Sequence, residues 1–404
     1  MLVAVIKYWG KNDVKLNTPM NSSASITLDQ SDLHTITTIA ASTNYKTDRM
    51  WLNGTEIEIN GRGQTCLREV RKLAQDRIDS VTGEVIVKKE DWSKYAVRIS
   101  SVNTFPTGAG LASSAAGLAC FVATLAKLYN AKEEYPGQFT AIARQGSGSA
   151  SRSMFGGFVK WEKGERADAT DSIAVQIADE NYWPEIRAVI LVVSDKEKDT
   201  SSTSGMETSR LTSLLLAHRA THIVQDRLDQ ISKAYLERDF ETFGRITMQD
   251  SNQFHAVCLD TYPPIFYMND TSKMIIRIVH ALNAALGGVK AAYTFDAGPN
   301  AVIYTTEQYQ NLVFAVMAHY FPAPNDPADY CNNPTLYNDV VTEVDRYLTT
   351  PTAGSGRELL TKLDATGRIP NAGDVKYIYT TKAGPGPIIQ PSTESLLDST
   401  TGQP

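Results

Sequence analysis

Cysteine is scarce in this sequence. The four residues among 404, Cys66, Cys120, Cys258 and Cys331, lie far apart and form no Cys-x-x-Cys pair. That spacing excludes a disulfide framework and a structural zinc centre, and it suits a reducing compartment. Long apolar runs are missing as well. Nothing reaches the roughly 20 residues that cross a bilayer, and residues 188–193 read as a buried strand instead. Residues 1–6 are apolar but carry no basic leader and no cleavage site, so they do not read as a signal peptide. The expected location is cytoplasmic, with no membrane partner. The six histidines form no cluster. His218 and His222 have the spacing of a zinc-protease helix, but Arg219 stands where that helix needs glutamate, so they carry no metal. A Walker A loop, the dinucleotide-binding glycine pattern and a Gly-x-Ser-x-Gly nucleophile elbow are all absent. A net charge of −6 gives no reason to expect nucleic acid. Any anionic ligand must therefore be held by a local group of cations.

What is present describes a globular chain long enough for two domains, 42% hydrophobic and 21% charged. Residues 2–11 start as a strand, and 33–41, threonine-rich and β-branched, form another. Residues 49–52 and 56–59 flank Asn53-Gly54, a hairpin turn. Helical spacing covers 65–78, and strands follow at 85–87 and 95–103. After a glycine-rich stretch come a helix at 115–129, a short helix at 139–144 and a strand at 158–161. Residues 186–193 make a strongly apolar strand. The polar run 194–205 reads as a mobile loop with phosphate-compatible chemistry or, the safer reading on composition, as a simple solvated linker. Helices are expected from 206 to about 236, then at 240–254, 271–286 and 308–319. The last strands fall at 289–295, 301–304 and 375–380. The composition shift near 185–205 places a domain division there, although a strand or two could cross it. It separates residues 1–190 from 191–385, and a Pro-, Ser- and Thr-rich tail, expected to be loose, occupies 386–404.

Three constellations carry chemistry. Residues 105–117, Phe-Pro-Thr-Gly-Ala-Gly-Leu-Ala-Ser-Ser-Ala-Ala-Gly, lead from a strand into a helix. Unpaired amides and the positive end of the helix dipole there suit a phosphate, against the blander reading of a tightly packed helix start. Ser147, Ser149 and Arg152 put two hydroxyls and a guanidinium on one glycine-rich turn. That is an anion-binding set, or else a flexible turn with a solvated arginine. Asp296 ends a strand-like run before Ala297-Gly298-Pro299-Asn300. It is either a turn-forming aspartate, the commoner case, or a carboxylate delivered to an active site. Tyr8 and Lys11 flank Trp9-Gly10 at a strand exit, where they could simply cap the strand.

Taken together, these segments resemble one family, the mevalonate diphosphate decarboxylases. The family lies within the group of small-molecule kinases that includes galactokinase, homoserine kinase and mevalonate kinase. The matching pieces are AVIKYWGK at 4–11, NSS at 21–23, WLNG at 51–54 and FPTGAGLASSAAG at 105–117. They continue with GSGSASRSMFGG at 146–157, STSGM at 202–206 and AYTFDAGPNAV at 292–302, with 375–387 as the C-terminal strand. The resemblance implies an α+β, two-domain small-molecule kinase fold. Its N-terminal domain would be ribosomal-protein-S5-like α/β, and its C-terminal domain ferredoxin-like α+β.

The implied reaction uses ATP and Mg2+ to convert mevalonate 5-diphosphate to isopentenyl diphosphate, ADP, phosphate and CO2, by way of phosphorylation at the C3 hydroxyl. By motif match Asp296 is the carboxylate at that hydroxyl, Arg152 holds the substrate carboxylate, and Lys11 polarises the reacting groups. Tyr8, Trp9, Gly10, Lys11, Arg62, Ser147, Gly148, Ser149, Ala150, Ser151, Arg152 and Thr203 are the implied substrate contacts. Gly108, Ala109, Gly110, Leu111, Ala112, Ser113 and Ser114 would cradle the ATP phosphates, with Ser114 near the metal. The family also implies a homodimer. Two other outcomes of the same motifs are a related kinase that stops at phosphorylation and a non-catalytic ligand-binding homologue. Family members usually carry a further strand ending in Ala-Pro-x-Asn ahead of AVIKYWGK. Its lack in this sequence implies an exposed edge on the first sheet and no asparagine behind Arg152.

Overall fold

The computed structural model describes residues 1–79, 81–104 and 113–404. The chain opens with β1 (Leu2–Ile6), a small hairpin of β2 (Lys11–Asp13) and β3 (Thr18–Pro19), and then β4 (Ser23–Thr27). Next come β5 (Thr35–Ser42), β6 (Arg49–Leu52) and β7 (Thr55–Ile57). The last two turn at Asn53-Gly54, whose φ angles of 50° and 80° are those a two-residue hairpin turn needs. α1 (Gly61–Lys72) starts and stops earlier than the expected 65–78. Asn60 caps it by accepting the amides of Arg62 and Gly63, while Arg77–Ile78 becomes β8, paired with β9 (Val85–Val87). β10 (Ala96–Asn103), α2 (Ser113–Leu128), α3 (Gln138–Gly146) and a 3-10 turn, Gly148–Met154, follow.

β11 (Phe158–Trp161), β12 (Ala174–Ala178) and β13 (Ile186–Val192) lead into a helical region. The polar loop expected to reach residue 205 ends sooner, because the Ser201 side chain caps α4 (Ser202–Thr212). Beyond it the helical stretch is divided rather than continuous. Ser213, extended at φ −93° and ψ 112°, interrupts it and caps α5 (Leu214–His218). A π-helical turn, Arg219–Ile223, then joins α5 to α6 (Val224–Leu236). α7 (Phe240–Asp260), α8 (Asp270–Leu286), β14 (Ala291–Phe295), β15 (Ala301–Thr306), α9 (Glu307–Tyr320) and β16 (Tyr377–Lys382) complete the elements that matter for the site.

Among the described residues the strands form three four-stranded sheets, ordered β1-β4-β11-β12, β5-β10-β6-β7 and β14-β15-β13-β16. Every pairing in them is antiparallel except that of β10 with β6. The architecture is α+β, as expected. β13 crosses the division expected near residue 190, since it pairs with both β15 and β16. One large core joins the first and third sheets to α6 through α9, with Val5, Phe158, Ile190, Leu228, Phe243 and Phe314 all buried in it. A second core lies between β10 and α1 to α3, where Val97 and Ile99 point inward by strand alternation onto Leu67, Val122 and Ile142.

β1 is an edge strand by pairing, yet all five of its residues are buried. Tyr304 Oη donates to the Val3 carbonyl and Thr294 Oγ1 to the Ala4 carbonyl, each at 3.3 Å, so side chains of the third sheet cover the edge expected to be exposed. The segment beyond Gly384 lies against β5, with the Leu396 amide donating to Thr38 Oγ1 at 3.0 Å and Leu397 buried. The four cysteines are unpaired, and burial pushes the Cys66 and Cys258 thiols up to about 12.

Candidate active site

Four pieces of chain, distant in sequence, close around one cavity of about 480 Å3. They are the turn after β1, the turn after α3, the loop leading into α4, and the end of β14. Glycine allows the first two to meet. Gly10 has φ +84°, and a Cβ there would lie 2.6 Å from Met20 Sδ. A Cβ on Gly148 would lie 2.7 Å from the Trp161 ring and 2.8 Å from the Tyr8 ring. Tyr8 packs edge-on against Trp161 at 4.8 Å. Among the described residues its hydroxyl is buried without a partner; burial raises its pKa, so Tyr8 stands on the cavity wall as a protonated donor.

Asp296 follows the last residue of β14 and is the one carboxylate on the described cavity wall. Lys7, just past β1, donates from Nζ to Asp296 Oδ1 at 2.6 Å and to the Ala4 carbonyl at 2.8 Å. Burial pulls the Lys7 ammonium below its usual range, and Asp296 opposes that pull. Arg152 is buried on the 3-10 turn, with its guanidinium 5.7 Å from the centre of the Trp161 ring. It donates from Nε to Ser25 Oγ at 3.0 Å, from Nη2 to Ser149 Oγ at 3.2 Å, and from Nη1 to Ser23 Oγ. Hydroxyls of β4 thus orient this arginine without neutralising it. Burial lowers it to about 10, with Asp296 and Tyr8 acting the other way.

The other expected residues divide clearly. Lys11, Arg62, Ser147, Gly148, Ser149 and Thr203 line the cavity, as do Ser113 and Ser114 at the start of α2. Burial, and then the neighbouring charge of Arg62, lower Lys11 to about 8. Trp9 reaches the wall, but its Nε1 donates to Ser209 Oγ at 2.9 Å and its ring packs on Phe254 and Tyr267. Its work is to hold α4 beside the cavity. Ala150 and Ser151 are buried behind the turn, where Ser151 Oγ bonds to the Gly148 carbonyl at 2.7 Å, and neither is on the cavity wall. Gly10 likewise shapes the turn without lining the cavity. Gly108, Ala109, Gly110, Leu111 and Ala112 lie outside the described residues.

Two lysines of the cavity escape sequence reasoning. Lys7 lies inside a motif but reads as a strand residue. Lys198 lies in the polar run, and here its Nζ bonds to Ser202 Oγ at 2.8 Å and to the Ala297 carbonyl at 3.2 Å. Burial lowers its pKa, and Asp296 counteracts this. Lys7, Lys11, Arg62, Arg152 and Lys198 together give an acidic protein a cationic cavity. Among the described residues no three His, Cys, Asp or Glu side chains converge on a metal position. One carboxylate and the Ser114 hydroxyl on the same wall still fit magnesium, which binds through few protein oxygens when phosphates supply the rest.

The family model "Diphosphomevalonate decarboxylase-like N-terminal domain" matches residues 1–174, and "Mevalonate 5-diphosphate decarboxylase C-terminal domain" matches 188–390. The diphosphomevalonate decarboxylase of Rattus norvegicus is 47% identical over 390 residues, covering 95% of this chain and 90% of its own. The solved mevalonate diphosphate decarboxylase from Trypanosoma brucei superposes with a TM-score of 0.84 at 33% identity, over 98% of each chain. A further solved structure, described as MDDEF in complex with MVAPP, AMPPCP and magnesium, gives a TM-score of 0.67 at 27% identity, over 96% of this chain and 95% of that one. Sequence, fold and cavity agree: the chain belongs to the mevalonate diphosphate decarboxylase family.

Proposed function

We propose that the cavity takes mevalonate 5-diphosphate and the triphosphate of ATP, and releases isopentenyl diphosphate, ADP, phosphate and CO2. The observation that carries this reading is a single carboxylate, Asp296, paired with buried Lys7 in a cavity whose other charged wall groups are cations. Lys11, Arg62 and the hydroxyls of Tyr8, Ser147, Ser149 and Thr203 hold the substrate diphosphate. Arg152, oriented by serines, holds the substrate carboxylate. Asp296 then accepts or orients the C3 hydroxyl proton, and Lys7 keeps that carboxylate in place. Ser113 and Ser114, at the N-terminal end of α2, face the nucleotide phosphates. Ser114 and Asp296, together with the phosphates, would hold magnesium, which would supply charge neutralisation. Catalysis of this kind rests on positioning and electrostatics. Once the C3 oxygen has taken the γ-phosphoryl group and ADP has left, the C3–O bond breaks with its electron pair departing on phosphate. With Arg152 fixing the carboxylate, the pair of the C2–CO2 bond forms the C2=C3 double bond as CO2 departs.

The deciding experiment supplies ATP, magnesium and mevalonate 5-diphosphate and follows CO2 and ADP together. Equal release of both is expected. ADP with a stable phosphorylated product identifies a kinase without decarboxylation, and background ADP from folded protein identifies a binding homologue. We also propose a cytoplasmic homodimer. Unpaired cysteines and the lack of any described helix able to cross a membrane suit the location. Exposed Leu211, Leu214, Leu215 and Tyr262, where α4 and α5 meet the end of α7, suit the contact.

A further inference from the structure

The side chain of Lys7 has its task at Asp296, and its main chain is held by a separate set of bonds. β1 leaves its ladder with β4 at Ile6, the partner of Ala24, so the next residue, Lys7, has no strand to bond. Its N–H donates instead to Asp250 Oδ2 at 2.7 Å. Its carbonyl accepts from Arg219 Nη2 at 3.1 Å and from Asn21 Nδ2 at 3.0 Å. Asp250 and Arg219 are joined to each other by two more bonds, of 2.7 and 2.8 Å, and both side chains have 0% exposure. Gln253 and Arg227 complete the network from the far side, with Gln253 Oε1 accepting from both arginines.

A buried ion pair gains little over apolar side chains of the same size, so stability alone is a weak reason for this one. What it does supply is a grip on both main-chain polar groups of a single residue, Lys7. The local backbone is arranged to deliver that grip. Arg219 opens the π-helical turn, an insertion that recurs at functional sites, and it is fully buried while His218 and His222 on the same stretch stay exposed. Asp250 meets it from the middle of α7. Burial favours the neutral Asp250 acid, but Arg219 and its hydrogen bonds outweigh this and hold the carboxyl below its usual range, ionised as the clamp requires.

We propose that Arg219 and Asp250 are positioning residues for the decarboxylase reaction. They fix the Lys7 peptide so that Nζ, one side chain away, rests on the Asp296 carboxylate. The role rests on the decarboxylase function proposed for the cavity. Neither residue lines the cavity, so the pair acts through Lys7 and touches no reactant.

The test is steady-state kinetics on the full chain with ATP, magnesium and mevalonate 5-diphosphate, for Asp250→Asn, Lys7→Met and the double variant. Asp250→Asn is expected to lower kcat about 10- to 100-fold, since an ångström of misplacement is worth about that much, and to leave both KM values within about threefold. In the Lys7→Met background the same change is expected to cost less than about twofold, because residues acting through one group are not additive. A merely structural pair would lower the melting temperature and act equally in both backgrounds. Wild-type kcat in folded Asp250→Asn, or an additive cycle, overturns the proposal. If Asp250→Asn does not fold, Arg219→Lys, which keeps the charge, and Asp250→Asn with Arg219→Gln, which removes both charges, go through the same cycle, and additivity there overturns the proposal equally. No CO2 from the wild type overturns the decarboxylase function and this proposal with it, whereas wild-type turnover with an additive cycle overturns this proposal alone.

Discussion

Asp296 is where the chemistry of single residues concentrates. Asp296→Asn keeps the size and removes the charge, so turnover is expected to fall at least a thousandfold while nucleotide affinity, read by fluorescent-analogue titration, stays within about threefold. Arg152→Leu is expected to lower kcat far more than it raises KM, because the serines behind it orient the charge proposed to act on the reacting carboxylate. Lys11 sets a pH limit. With its pKa lowered to about 8, it loses its positive charge as pH rises through that value. The free enzyme then binds the diphosphate less well, and kcat/KM is expected to decline on the alkaline side with a midpoint near 8. A bound diphosphate raises Lys11 again, so kcat should stay flatter, and Lys11→Arg should remove the alkaline decline. The local patterns around Arg152, Asp296 and Lys11 leave a bland reading open for each, and it is the set of motifs taken together that singles them out; the structure brings all three to one cavity wall. Lys7 is not singled out. Its partner is 289 residues away, and nothing in an apolar strand ending in lysine signals that distance.

At the scale of elements, α4 shows how tertiary contact overrides composition. Serine, threonine, lysine and aspartate through residues 194–205 read as loop, and most of the run is. The helix starts inside it, because Ser201 caps it and Trp9 bonds to Ser209 further along. Gly205 is the close approach that allows this: a Cβ there would lie 2.7 Å from Tyr267 Oη and 3.1 Å from the Trp9 ring. Gly205→Ala should push α4 away from the cavity at a cost of about 1–3 kcal/mol. Because Thr203 rides on the first turn of that helix, the loss is expected mainly in KM for mevalonate 5-diphosphate, measured beside the melting temperature. The break at Ser213 and the π-turn after it are illegible for a related reason. Residues 206–236 have helical spacing throughout, and nothing in that spacing marks the π-turn that carries buried Arg219 to Asp250. Strands are easier, since β11 and β13 carry runs of apolar residues that have no other use.

For the molecule as a whole, the order of elements and the α+β class can be read from pattern, but the way the sheets share a core cannot. Side chains from β14 and β15 bond to the carbonyls of β1, contacts between residues 290 and 301 positions apart. Hence the site is sensitive to how the two parts sit together, and the same holds for its outer surface. Leu214 is 85% exposed and Tyr262 78%, an unusual cost for a lone chain to carry in water. Light scattering is expected to give twice the chain mass, and Leu214→Glu the single mass with its cavity chemistry intact.

The buried thiols make the protein its own stopwatch. Cys66 lies against Gly146, directly beneath the turn that carries Arg152, and Cys258 lies on α7 within the aromatic cluster around Trp9. Held near 12 and out of water, neither thiol can react with a disulfide reagent until its own neighbourhood opens. The two labelling rates therefore time the opening of two walls of one cavity separately, and a ligand that bridges those walls should slow both clocks together.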